Sequence, residues 1–307
     1  MKLPHIPLIV LSSLCAAPFA SVAQDDTLTE VASGVFFHQG DNRRGHSNNG
    51  WVVFEDYTFV IDANYPSGAL VVMPKIREST SVPVRVVFDT HHHPDHAYGN
   101  RLWAEAGALL VAQVGVAEQM KKSEPAEYIK RAATRPDLRT TSLKAPSVLF
   151  RDALDFDDGS RRIELLHFGP GHTPCDGYAW LPHEKILFTG DGAVNGAYNY
   201  MGDAHIGSWI KALEAAKKLG AQIVCPGHGS AGGPEILVDQ QRFLQELHNR
   251  VKALRDAGKS PAEARTAVAS LGDELRAIDN VARYVGGGLP GQVERVWTEL
   301  GGERFPK

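Results

Sequence analysis

A dense cluster of potential metal ligands occupies residues 91–96, where the sequence reads HHHPDH. The cluster follows a β-branched run at 84–88 and precedes a stretch with helical character, so it is predicted to lie on a loop at a strand end. In a core, each of these imidazoles would need its own hydrogen-bond partner, which argues against a packing role. Neutral imidazole and carboxylate oxygen suit zinc, so the cluster predicts a metal site. An exposed histidine-rich loop without a function is the alternative.

Three further candidate ligands each follow a predicted strand and are each flanked by glycine. They are His172 in GPGHTP, Asp191 in TGDG and His228 in PGHG. Glycine lets the backbone turn sharply after a strand, so these side chains can be directed toward a common centre. A single Gly-His-Gly would carry little information. Four clusters that each follow a strand indicate one site built where several strands end.

The predicted strands and helices repeat the same order in two halves of the chain. The first half has strands at 34–38, 50–54, 58–62, 84–89 and 109–112 and helices at 69–77, 99–106 and 114–133. The second half has strands at 148–150, 162–167, 178–181, 186–189 and 222–225 and a helix at 209–219. Two such halves predict two packed sheets with helices outside, an α/β sandwich.

From about residue 234 onward the pattern becomes helical. Apolar residues at 234–257 follow a single stripe, and Ser260 followed by Pro261 is a typical start of the next helix. We find no low-complexity linker and no repeat of the solenoid type. Residues 24–307 are therefore predicted to form one domain with a helical tail from about residue 234.

Taken together, the motifs resemble those of the metallo-β-lactamase superfamily. The match consists of His-x-His-x-Asp-His at 91–96, Gly-His-Thr-Pro at 171–174, Gly-Asp at 190–191 and Pro-Gly-His-Gly at 226–229. It covers roughly residues 30–235, and the first motif is similar to that of glyoxalase II. The resemblance implies an αββα sandwich with a site for two zinc ions at one edge.

The resemblance also implies a role for each candidate ligand. The implied ligands of a first zinc ion are His91, His93 and His172, those of a second are Asp95, His96 and His228, and Asp191 bridges the two ions. Asp95 is given a catalytic role as well, because its carboxylate would orient the nucleophile. His92 occupies a variable position and is given no role.

The reaction that the resemblance implies is hydrolysis of an acyl bond (ester, lactone, thioester or amide) by a water that the metals activate. Hydrolysis of β-lactam antibiotics is an alternative, although true metallo-β-lactamases usually have cysteine or serine in place of Asp191. A mononuclear iron sulfur oxygenase on the same scaffold and a non-catalytic zinc protein are further alternatives. The loop after Asp191 is predicted to contact a small-molecule substrate through Tyr198, Tyr200 and His205.

Residues 1–23 have the pattern of a removable export signal. Lys2 is followed by an apolar stretch of about 15 residues, shorter than the ~20 that a membrane-spanning helix needs, and cleavage is predicted near Ala23. A membrane anchor is the alternative. The expected product is periplasmic or secreted, with no membrane insertion after signal removal. The net charge of −4, which becomes −5 without Lys2, argues against nucleic acid as a partner.

Two cysteines remain in the predicted mature chain, which is too few for a disulfide framework. Cys175 lies three residues after His172, and Cys225 lies three residues before His228. If the two ligand loops converge, these sulfurs approach each other, and export would permit oxidation. The sequence thus raises the hypothesis of a Cys175–Cys225 disulfide, with two buried thiols as the alternative.

Overall fold

The computed structural model describes residues 26–306, so the predicted signal at 1–23 lies outside the described residues. Seven strands form the first sheet, in the order of the chain. They are β1 (Thr27–Ala32), β2 (Val35–Gln39), β3 (Asn49–Val53), β4 (Thr58–Ile61), β5 (Val84–Asp89), β6 (Leu109–Gln113) and β7 (Val148–Phe150). The first four strands pair antiparallel, and β4 to β7 pair parallel.

Five strands form the second sheet, whose order is β12-β11-β10-β9-β8. They are β8 (Ala153–Asp157), β9 (Arg162–Leu166), β10 (Tyr178–Leu181), β11 (Ile186–Gly190) and β12 (Ile223–Pro226). The pairing is antiparallel from β8 to β11, whereas β11 and β12 are parallel. The carboxyl ends of β11 and β12 therefore point to the same edge of the sheet.

Ten α-helices lie within residues 26–306. They are α1 (Pro66–Ser79), α2 (Pro94–Ala97), α3 (Asn100–Glu105), α4 (Val114–Lys122), α5 (Glu124–Ala132), α6 (Ile206–Lys217), α7 (Glu235–Asp256), α8 (Pro261–Thr266), α9 (Val268–Arg276) and α10 (Leu289–Glu299). None of the helices in this part of the chain combines the length and the apolar character that a membrane span requires.

The two sheets pack face to face, and helices cover both outer faces. Phe88 on β5 packs with Phe188 on β11 between the sheets, whereas its neighbour Val87 packs outward with Trp103 of α3. Successive residues of a strand point to opposite faces, so a strand that is apolar throughout can be buried on both sides. The architecture is the predicted αββα sandwich.

The helices after residue 234 share a core with the second sheet. Leu247 of α7 and Trp297 of α10 belong to the same buried cluster as Trp209 of α6 and Leu187 of β11. The predicted start of α8 is confirmed, because Ser260 accepts a hydrogen bond from the backbone N–H of Glu263 in a capping box. The C-terminal helices are thus packed on the sandwich.

The structure differs from the predicted elements in three places. Strands β1 and β8 were not predicted; both lie at sheet edges and are half exposed, so neither has a clear apolar run. The helix predicted at 114–133 is interrupted at Ser123, where α4 ends and α5 begins with Pro125 near its start. The strand at 148–150, predicted in the second half, pairs with β6 in the first sheet.

The disulfide hypothesis is wrong. Cys175 and Cys225 are both free and buried. Cys175 packs with Val116 and Met120 of α4, whereas Cys225 lies on β12 in the core between the sheets. The two thiols occupy different apolar clusters, and burial raises the pKa of each, to about 12 for Cys175.

We expect Leu247→Ala to lower the free energy of unfolding by about 2–5 kcal/mol, because it removes a fully buried side chain from the core that the tail shares with the sandwich. The control is Val238→Ala on the same helix, where the side chain is 46% exposed and the expected change is within about 0.5 kcal/mol. Urea unfolding measures both. Equal effects of the two substitutions would contradict a shared core.

Candidate metal centre

The seven predicted ligands come from four segments that meet at one edge of the sandwich; Asp95 and His96, predicted on a loop, lie on the short helix α2. These segments follow β5, β9, β11 and β12, each at the carboxyl end of its strand. Five of the side chains are buried, and only His93 and Asp95 are partly exposed. The structure therefore brings together all seven side chains that the sequence singled out.

Four groups of three side chains among the described residues have the geometry of metal sites, and two of them match the ligand sets that the resemblance implies. In the first group, the ligand atoms of His91, His93 and His172 lie within 4.8 Å of one another, and His93 Nδ1 is 2.9 Å from His172 Nε2. In the second group, the ligand atoms of Asp95, His96 and His228 lie within the same distance. Each group can thus direct three donors at one cation.

The carboxylate of Asp191 lies between the two groups. Its Oδ2 is 3.4 Å from His172 Nε2 in the first group. Its Oδ1 is 3.3 Å from His96 Nε2 and 3.6 Å from His228 Nε2 in the second. One carboxylate with an oxygen toward each group is an arrangement that can link two cations.

Several buried ligand atoms have no hydrogen-bond partner among residues 26–306. They are Nε2 of His91, Nε2 of His96, Nε2 of His228 and Oδ1 of Asp191. Leaving a buried polar atom unpaired costs about 1–3 kcal/mol, so four such atoms facing one another are expensive unless something binds them. Imidazole nitrogens and a carboxylate oxygen fit a divalent transition metal. The residues therefore fit the metal that the sequence predicts.

In four of the histidines, the ring nitrogen that is not the candidate metal donor contacts a polar partner. His96 Nδ1 donates to Asp62 at 2.8 Å, and His93 Nε2 donates to Asp203 at 2.9 Å. His228 Nδ1 donates to Asn42 Oδ1 at 2.9 Å, and His91 Nδ1 lies 3.2 Å from the hydroxyl of Thr90. Such bonds fix the tautomer and the ring orientation, which leaves the other nitrogen as the acceptor that a metal needs.

The sequence analysis missed these four partners. Asp62 ends a predicted strand and Thr90 follows one, so the strand-end argument that found the candidate ligands could have found them too. Asn42 and Asp203 lie on loops about 186 and 110 residues from the histidines they hold, and no local pattern marks them. His92 lies in the wall beside the site, 3.5 Å from the sulfur of Cys175 and 3.8 Å from Glu124.

Two glycines allow the ligand loops to approach one another. Gly190 has a positive φ of 49°, and a Cβ at this position would collide with the side chain of Thr90. A Cβ on Gly227 would collide with the carboxylate of Asp191. A larger residue at Gly190 would push the segment after β11 away from that after β5, and one at Gly227 would push the loops after β11 and β12 apart.

Burial and neighbouring charges shift the pKa values of the residues in the centre. Burial lowers the pKa of His91 far below its ordinary value and that of His172 to about 3, so both rings are neutral at pH 7. Burial also acts on His96, but the carboxylates of Asp62, Asp191 and Asp95 outweigh it and raise its pKa. Burial alone would raise the pKa of Asp95, yet His96 and the hydrogen bond from His228 lower it to about 2.

A cleft of about 1350 Å³ opens above the centre, and the predicted substrate residues Tyr198, Tyr200 and His205 line it. The ring of Tyr198 lies 4.2 Å from that of His228, and the ring of Tyr200 lies 5.6 Å from that of His93. The two tyrosines are 46% and 59% exposed. They form an aromatic wall beside the ligands, and their contact with a substrate stays a prediction.

Comparison with known proteins identifies the family. The model of the metallo-beta-lactamase superfamily matches residues 42–228, which is more than half of the chain. The chain belongs to this superfamily. The resemblance drawn from the four motifs is thereby confirmed.

Individual relatives of this superfamily member are distant. A metallo-beta-lactamase type 2 from Bacteroides fragilis is 31% identical over 110 residues, which are 34% of this chain and 44% of that protein. A linear primary-alkylsulfatase from a Pseudomonas species is 20% identical over 232 residues, which are 62% of this chain and 44% of the relative. The chain thus spans less than half the length of these two curated relatives.

Solved structures of the superfamily share the fold of this chain. The crystal structure of DIM-1 metallo-beta-lactamase aligns with a TM-score of 0.60 at 22% identity and covers 73% of this chain and 98% of that one. At this identity the likeness concerns the fold. Nearly all of that protein is matched, whereas a larger share of this chain has no counterpart in it.

We expect the buried neutral histidines to make the protein without metal sensitive to acid. Burial lowers the pKa of His91, and it lowers those of His172 and His92 to about 3 and that of His46 to about 4, all from 6.5. At these four positions the unfolded chain binds more protons below about pH 6.5, so each contributes stability that is lost as the pH falls. Groups whose pKa is raised act in the opposite direction: His96 through its neighbouring carboxylates, and Asp89, Glu124 and Asp176 through burial, the last to about 7.

Urea midpoints of the chelator-treated protein at about pH 7 and pH 5 test this expectation. We expect acid to lower the midpoint of His172→Asn less than that of the parent chain, because the variant lacks one of the rings that must stay neutral. A variant whose midpoint changes between the two pH values by as much as the parent's contradicts the assignment of His172 as a buried neutral ring.

Proposed function

We propose that this protein is an exported binuclear zinc hydrolase that cleaves an acyl bond of a small molecule. The observation that supports it most is the carboxylate of Asp191, which has one oxygen within 3.4 Å of His172 and the other within 3.3 Å of His96. A single buried site would not require a carboxylate that faces two sets of histidines. The proposal takes the signal at 1–23 as the basis for export.

The chemistry of the donor atoms supports both the choice of zinc and the number of two ions. The centre offers five imidazoles and two carboxylates, and the two free cysteines of the described chain belong to other clusters. Two bound zinc ions would supply Lewis acidity toward an acyl oxygen and lower the pKa of a shared water toward neutrality. His91, His93 and His172 would hold one ion, Asp95, His96 and His228 the other, and Asp191 would contact both.

Asp95 has a second task in this proposal. It is partly exposed and lines the cleft, while its Oδ2 lies 3.1 Å from His228 Nε2. A carboxylate that stays ionised, with a pKa of about 2, can accept a hydrogen bond from the attacking water and fix its orientation. The side chain therefore acts as an acceptor that aims the nucleophile, and it does not need to store a proton at neutral pH.

The cleft suits a small substrate with an apolar group. Tyr198 and Tyr200 provide an aromatic wall, and His205 lines the same cleft near the start of α6. An acyl substituent that packs on the tyrosine rings would leave its carbonyl directed at the ligand cluster. A volume of about 1350 Å³ is large enough for a drug-sized molecule, so the cleft does not choose among esters, lactones, thioesters and amides.

β-Lactam hydrolysis is the second candidate, because the Bacteroides fragilis relative that shares 31% identity over 110 residues is a metallo-beta-lactamase type 2. The substrate panel should therefore contain nitrocefin beside aryl esters, lactones and thioesters. A primary alkyl sulfate belongs in the panel too, since the relative from a Pseudomonas species is a linear primary-alkylsulfatase.

The test combines metal analysis with this panel on the full-length protein. About two zinc ions per chain and turnover of an acyl substrate support the proposal. One iron per chain without hydrolysis supports the mononuclear sulfur oxygenase instead, and zinc binding without any turnover supports the non-catalytic alternative. Cleavage of nitrocefin alone identifies a β-lactamase.

We expect His93→Ala to remove about one zinc ion per chain and to lower turnover by more than about 100-fold, because a ligand of the first group is lost. Circular dichroism should show an intact sandwich, since His93 lies outside the main hydrophobic clusters. The matched control is His183→Ala, whose side chain is exposed. Full zinc content in the His93 variant would refute the ligand assignment.

Asp191→Ala tests the bridge separately. If the carboxylate contacts both ions, its loss lowers occupancy of both sites, whereas loss of His93 affects one. Zinc is measured by elemental analysis after dialysis against a weak chelator. An Asp191 variant that retains its full zinc content would show that the carboxylate is no bridge.

A further inference from the structure

One face of the last helix, α10, holds the loop at 191–205. Gln292, Arg295 and Glu299 follow the three- and four-residue spacing that places side chains on the same side of a helix. Gln292 Nε2 donates to the backbone carbonyl of Asn199 at 2.6 Å, and Arg295 Nε donates to that of Ala204 at 2.6 Å. The helix thus fixes the loop by two bonds that depend on side chains.

Glu299 fixes the end of the same loop. Its two carboxylate oxygens accept hydrogen bonds from the backbone N–H groups of Ile206 and Gly207 at 2.7 and 2.9 Å. These are the first residues of α6, where backbone donors lack partners within the helix and the helix dipole favours an anion. The loop at 191–205 is therefore attached to α10 near its middle and at its end.

The loop contacts the metal centre through Asp203, the residue before Ala204. Asp203 Oδ2 accepts a hydrogen bond from His93 Nε2 at 2.9 Å, while Nδ1 of the same ring faces His172 at 2.9 Å. A neutral imidazole has one N–H, so donation from Nε2 leaves the lone pair on Nδ1 for a cation. The carboxylate of Asp203 therefore selects the tautomer that the first group requires.

Asp203 is suited to this task only if its backbone is fixed. Its side chain is 51% exposed, and an exposed ion pair between freely moving partners contributes little. The hydrogen bond from Arg295 to the carbonyl of Ala204, the residue after Asp203, fixes this backbone. On the other side, the backbone N–H of His205 donates to Gly171 at 2.8 Å, one residue before His172. The segment 203–205 is thus clamped between α10 and the loop that carries another ligand.

We propose that Asp203 and Arg295 are positioning residues for the first metal site: Arg295 holds the backbone beside Asp203, and Asp203 holds His93 in the tautomer that binds the ion. The inference rests on the proposed function, in which His93 is a ligand. It gives α10, which lies outside the region 42–228 that the family model matches, a role in the metal centre.

Zinc affinity of the full chain, measured by competition with a chromophoric chelator, tests the inference. We expect Asp203→Asn to weaken one of the two zinc sites by about 10-fold to 100-fold, because the Nε2–H bond loses its charged acceptor. Arg295→Met should weaken the same site in the same direction. If the two residues act in series, the double variant is no weaker than Asp203→Asn alone.

Matched controls separate this effect from general damage. Asp279→Asn and Arg304→Met change the same residue types at exposed positions, and both should leave the two zinc affinities unchanged. Arg295→Lys keeps a donor for the carbonyl of Ala204 and should restore most of the affinity that Arg295→Met loses. Rescue by lysine is expected from a positioning role and not from a mere change in packing.

Cobalt substitution provides a spectroscopic readout that does not depend on turnover. Cobalt(II) bound at the first site should show shifted visible bands in Asp203→Asn and Arg295→Met, because the orientation of the His93 ring changes, while the bands of the second site stay constant. Should Arg295→Met fail to fold, Asp203→Asn and Arg295→Lys still give the zinc and cobalt measurements.

The outcomes distinguish this inference from the proposed function. A wild-type chain that binds no zinc refutes both. A wild-type chain with two zinc ions whose affinities and cobalt bands are unchanged in Asp203→Asn overturns the positioning role and leaves the proposed function standing. Weaker binding in Asp203→Asn without any effect of Arg295→Met would overturn the part played by α10.

Discussion

The burial of polar atoms without hydrogen-bond partners is the constraint on which the rest of this structure depends. Three imidazole nitrogens and one carboxylate oxygen, on His91, His96, His228 and Asp191, are buried together without hydrogen-bond partners among the described residues. Such a set is unfavourable by itself, and only a packed scaffold or a bound cation can keep it together. The sandwich provides that scaffold, because three of the four ligand segments follow β5, β11 and β12, whose last residues are buried.

The partners of the histidine rings extend this constraint into the scaffold. Asp62 connects His96 to the end of β4, and Asn42 connects His228 to the loop between β2 and β3. Asp62 also has a positive φ of 66°, a backbone conformation that costs energy for residues other than glycine and that often occurs at functional sites. Both partners belong to the first sheet, and the bond from His228, which follows β12, connects the second sheet to it.

Much of the fold and the clustering of the seven candidate ligands could be predicted from the sequence, because strands and the motifs that follow them are local patterns. The strand at Val84–Asp89 has the predicted bounds, and its apolar run is long enough to be recognised. Edge strands such as β8 have no such run, since solvent covers one side of them. The pairs His93–Asp203 and His228–Asn42 join distant loops, and only tertiary packing decides which polar residues meet there.

The contacts of α10 with the loop at 191–205 have a consequence for biosynthesis. The last candidate ligand along the chain is His228, but the side chains that fix the supporting loop, Gln292, Arg295 and Glu299, are synthesised later. A nascent or translocating chain cannot assemble this support until α10 has emerged. Metal loading would then wait for α10, in whichever compartment that helix folds onto the sandwich.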